Sequence, residues 1–280
     1  MCILAAPVEH VAGTQILVAP LQGSLQLTCY ANEISATSPN AMILPVPLPS
    51  PAAASEVSLI NLQSIDYLFS DLKKAYPKKV QTRKSKSRGI AMDSFLKVVS
   101  CGSYKVSVAP TLADLKRIDR RQLPITQTVD ALLQHEYGTG FAFIVCMFQK
   151  GEPMHPIAYV APREEDELFV PTKHEHGDSG DHVDWDHELL SLGCCKSHEC
   201  DDPGSSPDDI MRSFPGVGAQ WKAGIPVANL SAIEALRDLL PADFLNLNLR
   251  RMEIKQQFDN RDIWFAVGTA TAVCSTCTVS

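Results

Sequence analysis

Short apolar or alternating segments, separated by turn residues, dominate the first half of the chain. Residues 15–21, 24–30 and 41–46 each have the length and pattern of a β-strand, and Gln22-Gly23 predicts a tight hairpin between the first two. The same criteria predict further strands at 59–62, 95–99, 104–108, 141–149, 155–161, 168–170 and 263–267.

A smaller part of the chain has apolar residues at helical spacing. Thr111 with Asp114 three residues later is a typical helix start, and Pro77 and Pro241 each end a helical pattern. Many strands with a few short helices predict an α+β fold. The predicted helices cover 64–75, 111–118, 128–137 and 229–240.

Two segments lack both patterns and interrupt the strand-rich body. Residues 77–90 are rich in Lys, Arg and Ser, whereas residues 163–209 are acidic, contain His and Cys, and show little periodicity. We interpret residues 1–280 as a single α+β domain, in which 77–90 is a basic loop insertion and 163–209 is an acidic, irregular insertion.

Composition narrows the class of protein. Hydrophobic residues make up 45% of the chain and charged residues 20%, which provides enough apolar surface for a packed core. The longest apolar runs are far shorter than the roughly 20 residues that span a bilayer. The apolar start reaches Glu9 and His10 without a basic segment before it, unlike a cleaved signal peptide. We therefore expect an intracellular, cytoplasmic protein whose nine cysteines are reduced.

Charge is unevenly distributed along the chain. The formal net charge is −7, yet the segment from Lys73 to Arg88 contains eight basic residues and no acidic one. The simpler interpretation of this segment is a solvated loop, and the alternatives are a nuclear targeting signal, a phosphate-binding patch or a dock for an acidic protein partner. The acidic remainder argues against nucleic-acid binding except through the basic loop.

The densest set of potential metal ligands lies within residues 163–209. On a strand, His174 and His176 would point to one face, where Asp178, with His182 or His187, could complete a site. The pattern His-x-His-x-Asp resembles part of the metal motif of the metallo-β-lactamase family. That resemblance implies zinc and an activated water, and hence a metal-dependent hydrolase.

Two observations weaken the hydrolase interpretation. Ser179 stands where that family has its next histidine, and the later ligands have no clear counterparts. The simpler interpretation is a solvated loop of imidazoles and carboxylates that Trp185 anchors to the core.

Thiols form a second set of potential zinc ligands. Zinc prefers four N or S ligands, and Cys-x-x-Cys is a usual half-site. These residues could hold zinc, but unliganded thiols are the simpler interpretation, and we expect no cofactor. The residues are Cys194, Cys195, His198, Cys200, Cys274 and Cys277.

Two other cysteines occupy positions that a nucleophile could use. Cys2 follows Met1, as does the nucleophile of N-terminal-nucleophile hydrolases once the methionine is removed. Cys101, before Gly102, could form a nucleophile turn with His135 or His155 as its base. A structural role is the simpler interpretation of both cysteines.

Five apolar segments carry a resemblance to a known family. They are 41–47, 102–106, 137–143, 156–159 and 168–171. Their order resembles a family known only as a domain of unknown function, many of whose bacterial members are secreted. The similarity spans residues 15–177 and implies one continuous strand-rich domain there. Because that family has no established activity, the resemblance implies no catalytic residue.

These features together favour a non-enzymatic protein. No complete catalytic set is visible in the sequence, whereas the acidic segment and the basic segment both offer contact surfaces. We expect a structural or protein-interaction component of a larger complex. The alternative is a metal-dependent hydrolase that uses His174, His176 and Asp178.

Overall fold

The computed structural model describes residues 2–74, 98–118, 125–151, 154–164, 167–176, 182–193, 222–226 and 248–266. These ranges are strand-rich with short helices, which confirms the predicted α+β class. None of the helices in them is both long and apolar enough to cross a membrane. The helices are α1 (Leu68–Lys74), α2 (Leu112–Leu115) and α3 (Gln127–Tyr137).

Fifteen strands are present in the described ranges. In chain order they are β1 (Cys2–Leu4), β2 (His10–Leu21), β3 (Leu25–Ser35), β4 (Asn40–Pro47), β5 (Ser58–Asn61), β6 (Val99–Cys101), β7 (Tyr104–Ala109), β8 (Phe141–Phe148), β9 (Ile157–Pro162), β10 (Glu167–Val170), β11 (His174–Glu175), β12 (His182–Gly193), β13 (Lys222–Pro226), β14 (Asn248–Asp259) and β15 (Ile263–Ala266). Short 3-10 turns cover Pro51–Glu56 and Gln63–Ile65.

The strands form two large sheets and one small ribbon. One sheet has the order β11-β1-β4-β8-β7-β6 and the other has the order β13-β14-β12-β2-β3-β9-β5. Strands β10 and β15 pair antiparallel as the separate ribbon. Most neighbours are antiparallel, but β1 pairs with β11, and β2 with β12, in parallel.

Side chains alternate between the two faces of each large sheet, and both faces are buried. On β2, Ile16 and Val18 enter the core between the two sheets, whereas Leu17 and Ala19 point to the opposite face. Strands buried on both faces have continuous apolar runs. The described helices cover the outer faces: α1 packs on the sheet that contains β2, and α2 and α3 pack on the sheet that contains β4 and β8.

Local patterns predicted many of these elements correctly. The hairpin of β2 and β3 turns at Gly23 and Ser24, whose φ angles of 71° and 54° are typical of a tight turn. The α2 helix begins as predicted, since the Thr111 hydroxyl accepts a hydrogen bond from the Asp114 amide at 3.2 Å. The basic loop 77–90 and the helix predicted at 229–240 lie outside the described residues.

The interpretation of residues 163–209 as an irregular insertion is wrong in its described part. This part contributes β10, β11 and β12, and β12 lies inside a large sheet between β14 and β2. The acidic residues alternate along β12 with the buried Trp185 and Leu189. A half-buried strand can carry charges on one side, so a high content of acidic residues did not exclude regular structure.

Candidate functional site

The predicted metal-ligand segment forms a chain of three imidazoles. His174 Nδ1 lies 3.2 Å from His176 Nε2, and His174 Nε2 lies 2.7 Å from His187 Nε2. Strand β11 carries the first of these residues, and Trp185 on β12 packs against the ring of His187 at 4.5 Å between centroids. Each contact needs one donated proton, which a row of neutral imidazoles supplies.

Burial keeps these imidazoles neutral. It lowers the pKa of His174 to about 2, and it holds the pKa of His187 well below its usual value. The pKa of His176 is lowered for the same reason. The three side chains therefore act as hydrogen-bonding groups of the interior at neutral pH.

The imidazoles do not converge on one point. His174 uses a different nitrogen toward each neighbour, so His176 and His187 lie on opposite edges of its ring. No group of three or more His, Cys, Asp or Glu within the described ranges could hold a metal ion. The hydrolase interpretation therefore has no support in this part of the chain.

Several predicted ligands are not described. Asp178 and the six residues of the thiol set, from Cys194 to Cys277, lie outside the described ranges, as do the side chains of His182 and Cys2. The backbone of Cys2 starts β1, where it pairs with His174. Metal binding through Asp178 or the thiol set stays a prediction.

The second nucleophile candidate, Cys101, is part of the core. Burial raises the pKa of its thiol, and the thiol contacts the carbonyl of Ile60 at 3.7 Å. His155 is held by the backbone, because its Nε2 accepts from the Ser103 amide at 3.0 Å and its Nδ1 donates to the Pro156 carbonyl at 2.7 Å. His135 is exposed beside Glu136. Both ring nitrogens of His155 are thus occupied in a structural role.

A surface feature that the sequence did not single out lies at the β10–β15 ribbon. A cavity of about 240 Å³ opens there, and we call it the aromatic groove. Its walls include Phe141, Phe169 and Trp264, whose rings contact in series at 5.9 Å and 4.8 Å between centroids. Pro47 and Pro162 also line it.

The border of the groove is acidic. Glu164 and Glu167 line it and are exposed. Arg163 also lines it but is buried, and its guanidinium donates to the carbonyls of Leu25 and Glu164 at 3.3 and 3.0 Å. Among the described residues, the charges that face solvent at this border are therefore the two carboxylates, which we call the acidic border.

Counting only the residues that the structure describes, the ribbon has one closed edge and one open edge. The Gln26 side-chain amide closes the edge at β10, donating to the Phe169 carbonyl at 2.7 Å and accepting from the Phe169 amide at 3.0 Å. Because the N–H and C=O of one residue point to the same side of a strand, those of Phe169 point away from β15. Trp264 is the partner of Phe169, so its own N–H and C=O point outward from β15. No described residue pairs with that side.

The sequence contained only a weak signal for this groove. Residues 263–267 were predicted as a strand, and Phe141 as the start of another, but their meeting depends on long-range packing. Trp264 is 38% exposed, one of three large hydrophobic side chains with high exposure among the described residues. An apolar residue in a predicted strand gives no sign of such exposure.

No family model matches the chain, so the resemblance to a domain of unknown function stays a prediction. Among solved structures, baculovirus P35 is 12% identical and aligns over 95% of this chain and 99% of its own, with a TM-score of 0.47. A mutated baculovirus P35 after caspase cleavage is 13% identical over 93% and 99%, with a TM-score of 0.45. A chain of the caspase-8/P35 complex is 12% identical over 91% and 96%, with a TM-score of 0.43.

Proposed function

We propose that this chain is a non-enzymatic protein that acts by binding other proteins, as an assembly component of a larger complex. One observation carries the proposal: Trp264 is exposed on the open edge of β15, beside the aromatic groove. A tryptophan whose ring is available for contact, next to backbone groups that no described residue pairs, is a typical anchor of a protein interface.

The free energy of apolar burial favours a state in which a partner covers Trp264. An exposed strand edge beside apolar side chains promotes unwanted association unless a partner or another device covers it. Burying the remaining surface of one aromatic ring is worth on the order of 1–3 kcal/mol. The site therefore gains stability when a partner binds.

The described candidates for catalysis support the same proposal. Cys101 has a raised thiol pKa, and both nitrogens of His155 are bonded to the backbone. The imidazoles of His174 and His187 are neutral and bonded to each other. These side chains stabilise the interior, and none of them faces the aromatic groove.

A crosslinking experiment, carried out in the cells that naturally produce the protein, tests the proposal. A photoreactive phenylalanine analogue replaces Trp264 in one variant and Tyr67 in another, because Tyr67 is similarly exposed at 41%. We expect a discrete crosslinked protein from position 264 that position 67 does not give. The purified partner should then bind Trp264→Ala at least about tenfold more weakly than it binds Tyr67→Ala. Equal affinity for the two variants contradicts the proposal.

A further inference from the structure

We infer that the partner of the aromatic groove is an extended peptide segment that adds to the open edge of β15, with a large apolar side chain and a Lys or Arg two positions apart. This inference rests on the proposed function and specifies the chemistry of what binds. It follows from three features of the groove: its backbone groups, its volume and its charge.

The outward backbone groups of β15 favour a partner segment in extended conformation. The N–H and C=O of Trp264 point outward, and a strand laid along β15 would bond to both. A helix satisfies its own backbone groups and could not form these bonds. Addition of a strand to a free sheet edge is an established mode of peptide recognition.

The volume of the groove fits one apolar side chain of the bound peptide. At about 240 Å³ the cavity is smaller than the roughly 300–1,000 Å³ of sites that enclose a small-molecule ligand. The rings of Phe141, Phe169 and Trp264 provide an apolar surface for a leucine-sized or aromatic side chain. Trp264 shares a ribbon face with Phe169, so a residue of the added strand that lies beside Trp264 on this face would point into the groove.

The acidic border favours a Lys or Arg in the peptide, two positions from the apolar residue that enters the groove. Side chains two positions apart lie on the same face of a strand. Glu167 is the partner of residue 266, two positions along β15 from Trp264. A Lys or Arg in the added strand would span the width of β15, about 10 Å from its own strand to β10, and reach toward Glu167 and Glu164. The order of the two residues in the peptide depends on whether the added strand is parallel or antiparallel.

Fluorescence anisotropy with the purified full chain tests the inference. The probes are labelled short peptides of Thr and Ser that carry one Leu and one Lys two positions apart, in both orders. One control replaces the Lys by Glu, and another carries N-methyl groups on the backbone amides that would face β15. We expect one order to bind, and both controls to bind at least about tenfold more weakly.

Variants identify the groove as the binding surface. Trp264→Ala should weaken binding of the Lys peptide at least about tenfold, whereas Tyr67→Ala should change it less than about twofold. Glu167→Lys should reverse the preference, so that the Glu peptide binds better than the Lys peptide. Glu56→Lys makes the same change of net charge at an exposed carboxylate that does not line the groove, and should leave the preference unchanged.

The outcomes separate the inference from the proposed function. If the crosslinked partner depends on Trp264 but the anisotropy shows no preference for Lys or for an intact backbone, the peptide chemistry is wrong and the proposed function stands. If neither partner nor peptide depends on Trp264, both are wrong. A wild-type dimer that becomes monomeric in Trp264→Ala, measured by sedimentation, would assign the groove to a second copy of this chain and overturn the inference.

Discussion

Neutral imidazoles in the interior have a thermodynamic consequence at the scale of single residues. His174 is 6% exposed and His187 is 1% exposed, and the two rings contact each other directly. Protonation of either ring would place a cation in the interior and remove an acceptor from the chain of contacts. These residues therefore couple folding to pH.

We predict that the protein loses stability as pH falls from neutral toward 5. In the unfolded chain a histidine has a pKa near 6.5, whereas the folded protein lowers that of His174 to about 2 and that of His187 well below its usual value. The unfolded state thus binds more protons below pH 6.5, and stability declines by up to about 1.4 kcal/mol per pH unit for each such histidine. Urea unfolding at pH 7.5, 6.5 and 5.5 measures this slope.

Two histidine variants test this prediction, one in the core and one at an exposed control position. His187→Asn should reduce the slope by roughly 1.4 kcal/mol per pH unit at pH 5.5, in addition to its own loss of stability. His10→Asn, at an exposed position, should leave the slope unchanged. Equal slopes for wild type and His187→Asn would show that this imidazole does not link folding to pH.

A glycine beside His155 is a second residue with a specific role. Gly102 has a φ of 62°, and a Cβ there would lie 1.9 Å from His155 Nε2. Gly102→Ala should therefore break the hydrogen bond from Ser103 to His155 and cost roughly 2–4 kcal/mol. Gly23→Ala also introduces a Cβ at positive φ, 71°, but meets no atom within 4 Å, so it should cost only about 1 kcal/mol. Thermal unfolding of the two variants compares them; similar losses would contradict the steric explanation.

At the scale of elements, side-chain amides replace missing strand partners. Gln26 bonds both backbone groups of Phe169, and Asn260 does the same for His174, with both distances at 2.7 Å. Asn40 also bonds both backbone groups of Ala6. Short strands and loop segments are thereby joined to the sheets without a full neighbour strand.

Removal of one such amide should be costly. Asn260→Leu keeps the branching at Cγ but leaves the buried N–H and C=O of His174 without the amide that bonds them, so we expect a loss of about 2–4 kcal/mol of unfolding free energy. Gln63→Leu, an exposed position in a 3-10 turn, should change stability by less than about 0.5 kcal/mol. Urea unfolding of both variants tests this, and a loss below 1 kcal/mol for Asn260→Leu would contradict the assigned role.

The described side chains of the neighbouring strands β12 and β14 form one buried and one exposed ion pair between the two strands. Glu188 and Arg251 form the buried pair, and Gln15 and Lys73 also reach the Glu188 carboxylate at 2.6 and 3.0 Å. Asp186 and Lys255 form the exposed pair at 3.6 Å. The same two strands thus offer a matched comparison.

We predict that the two pairs differ strongly in their effect on stability. Glu188→Gln should cost about 3 kcal/mol, the lower end of the usual cost of breaking a buried pair, because the buried guanidinium of Arg251 then keeps, among the described residues, only Glu253 as a counter-charge. Asp186→Asn should cost at most about 1 kcal/mol. Chemical denaturation gives both values, and 1 M NaCl should reduce only the smaller effect. Comparable losses would mean that water reaches the buried pair.

At the scale of the whole molecule, the order of layers follows from strands that are apolar on both faces. The run 141–149 indicated a buried strand from the sequence, and β8 lies inside a sheet with covered faces. Which strands become neighbours could not be predicted, because β2 pairs with β12 across more than 150 residues of chain. Such contacts depend on packing that local patterns do not encode.

The candidate site, too, could be predicted from the sequence only in part. Alternation along a strand predicted that His174 and His176 share a face; in the structure His176 follows the end of β11, and its Nε2 lies 3.2 Å from His174 Nδ1. The acidic content of the segment hid the alternation of Val183, Trp185 and Leu189, so β12 was interpreted as a loop. Nothing local marked Trp264, because its exposure depends on the edge that Gln26 closes on the far side of β10.

Amide hydrogen exchange of residues 263–266 tests the central claim most directly. In the free protein the outward N–H of Trp264 should exchange rapidly, and it should become protected when the partner or the Lys peptide binds, because it then donates to the added strand. Protection should be absent in Trp264→Ala at the same peptide concentration. Unchanged exchange over 263–266 in the bound complex would contradict the claim that this edge is where the protein binds its partner.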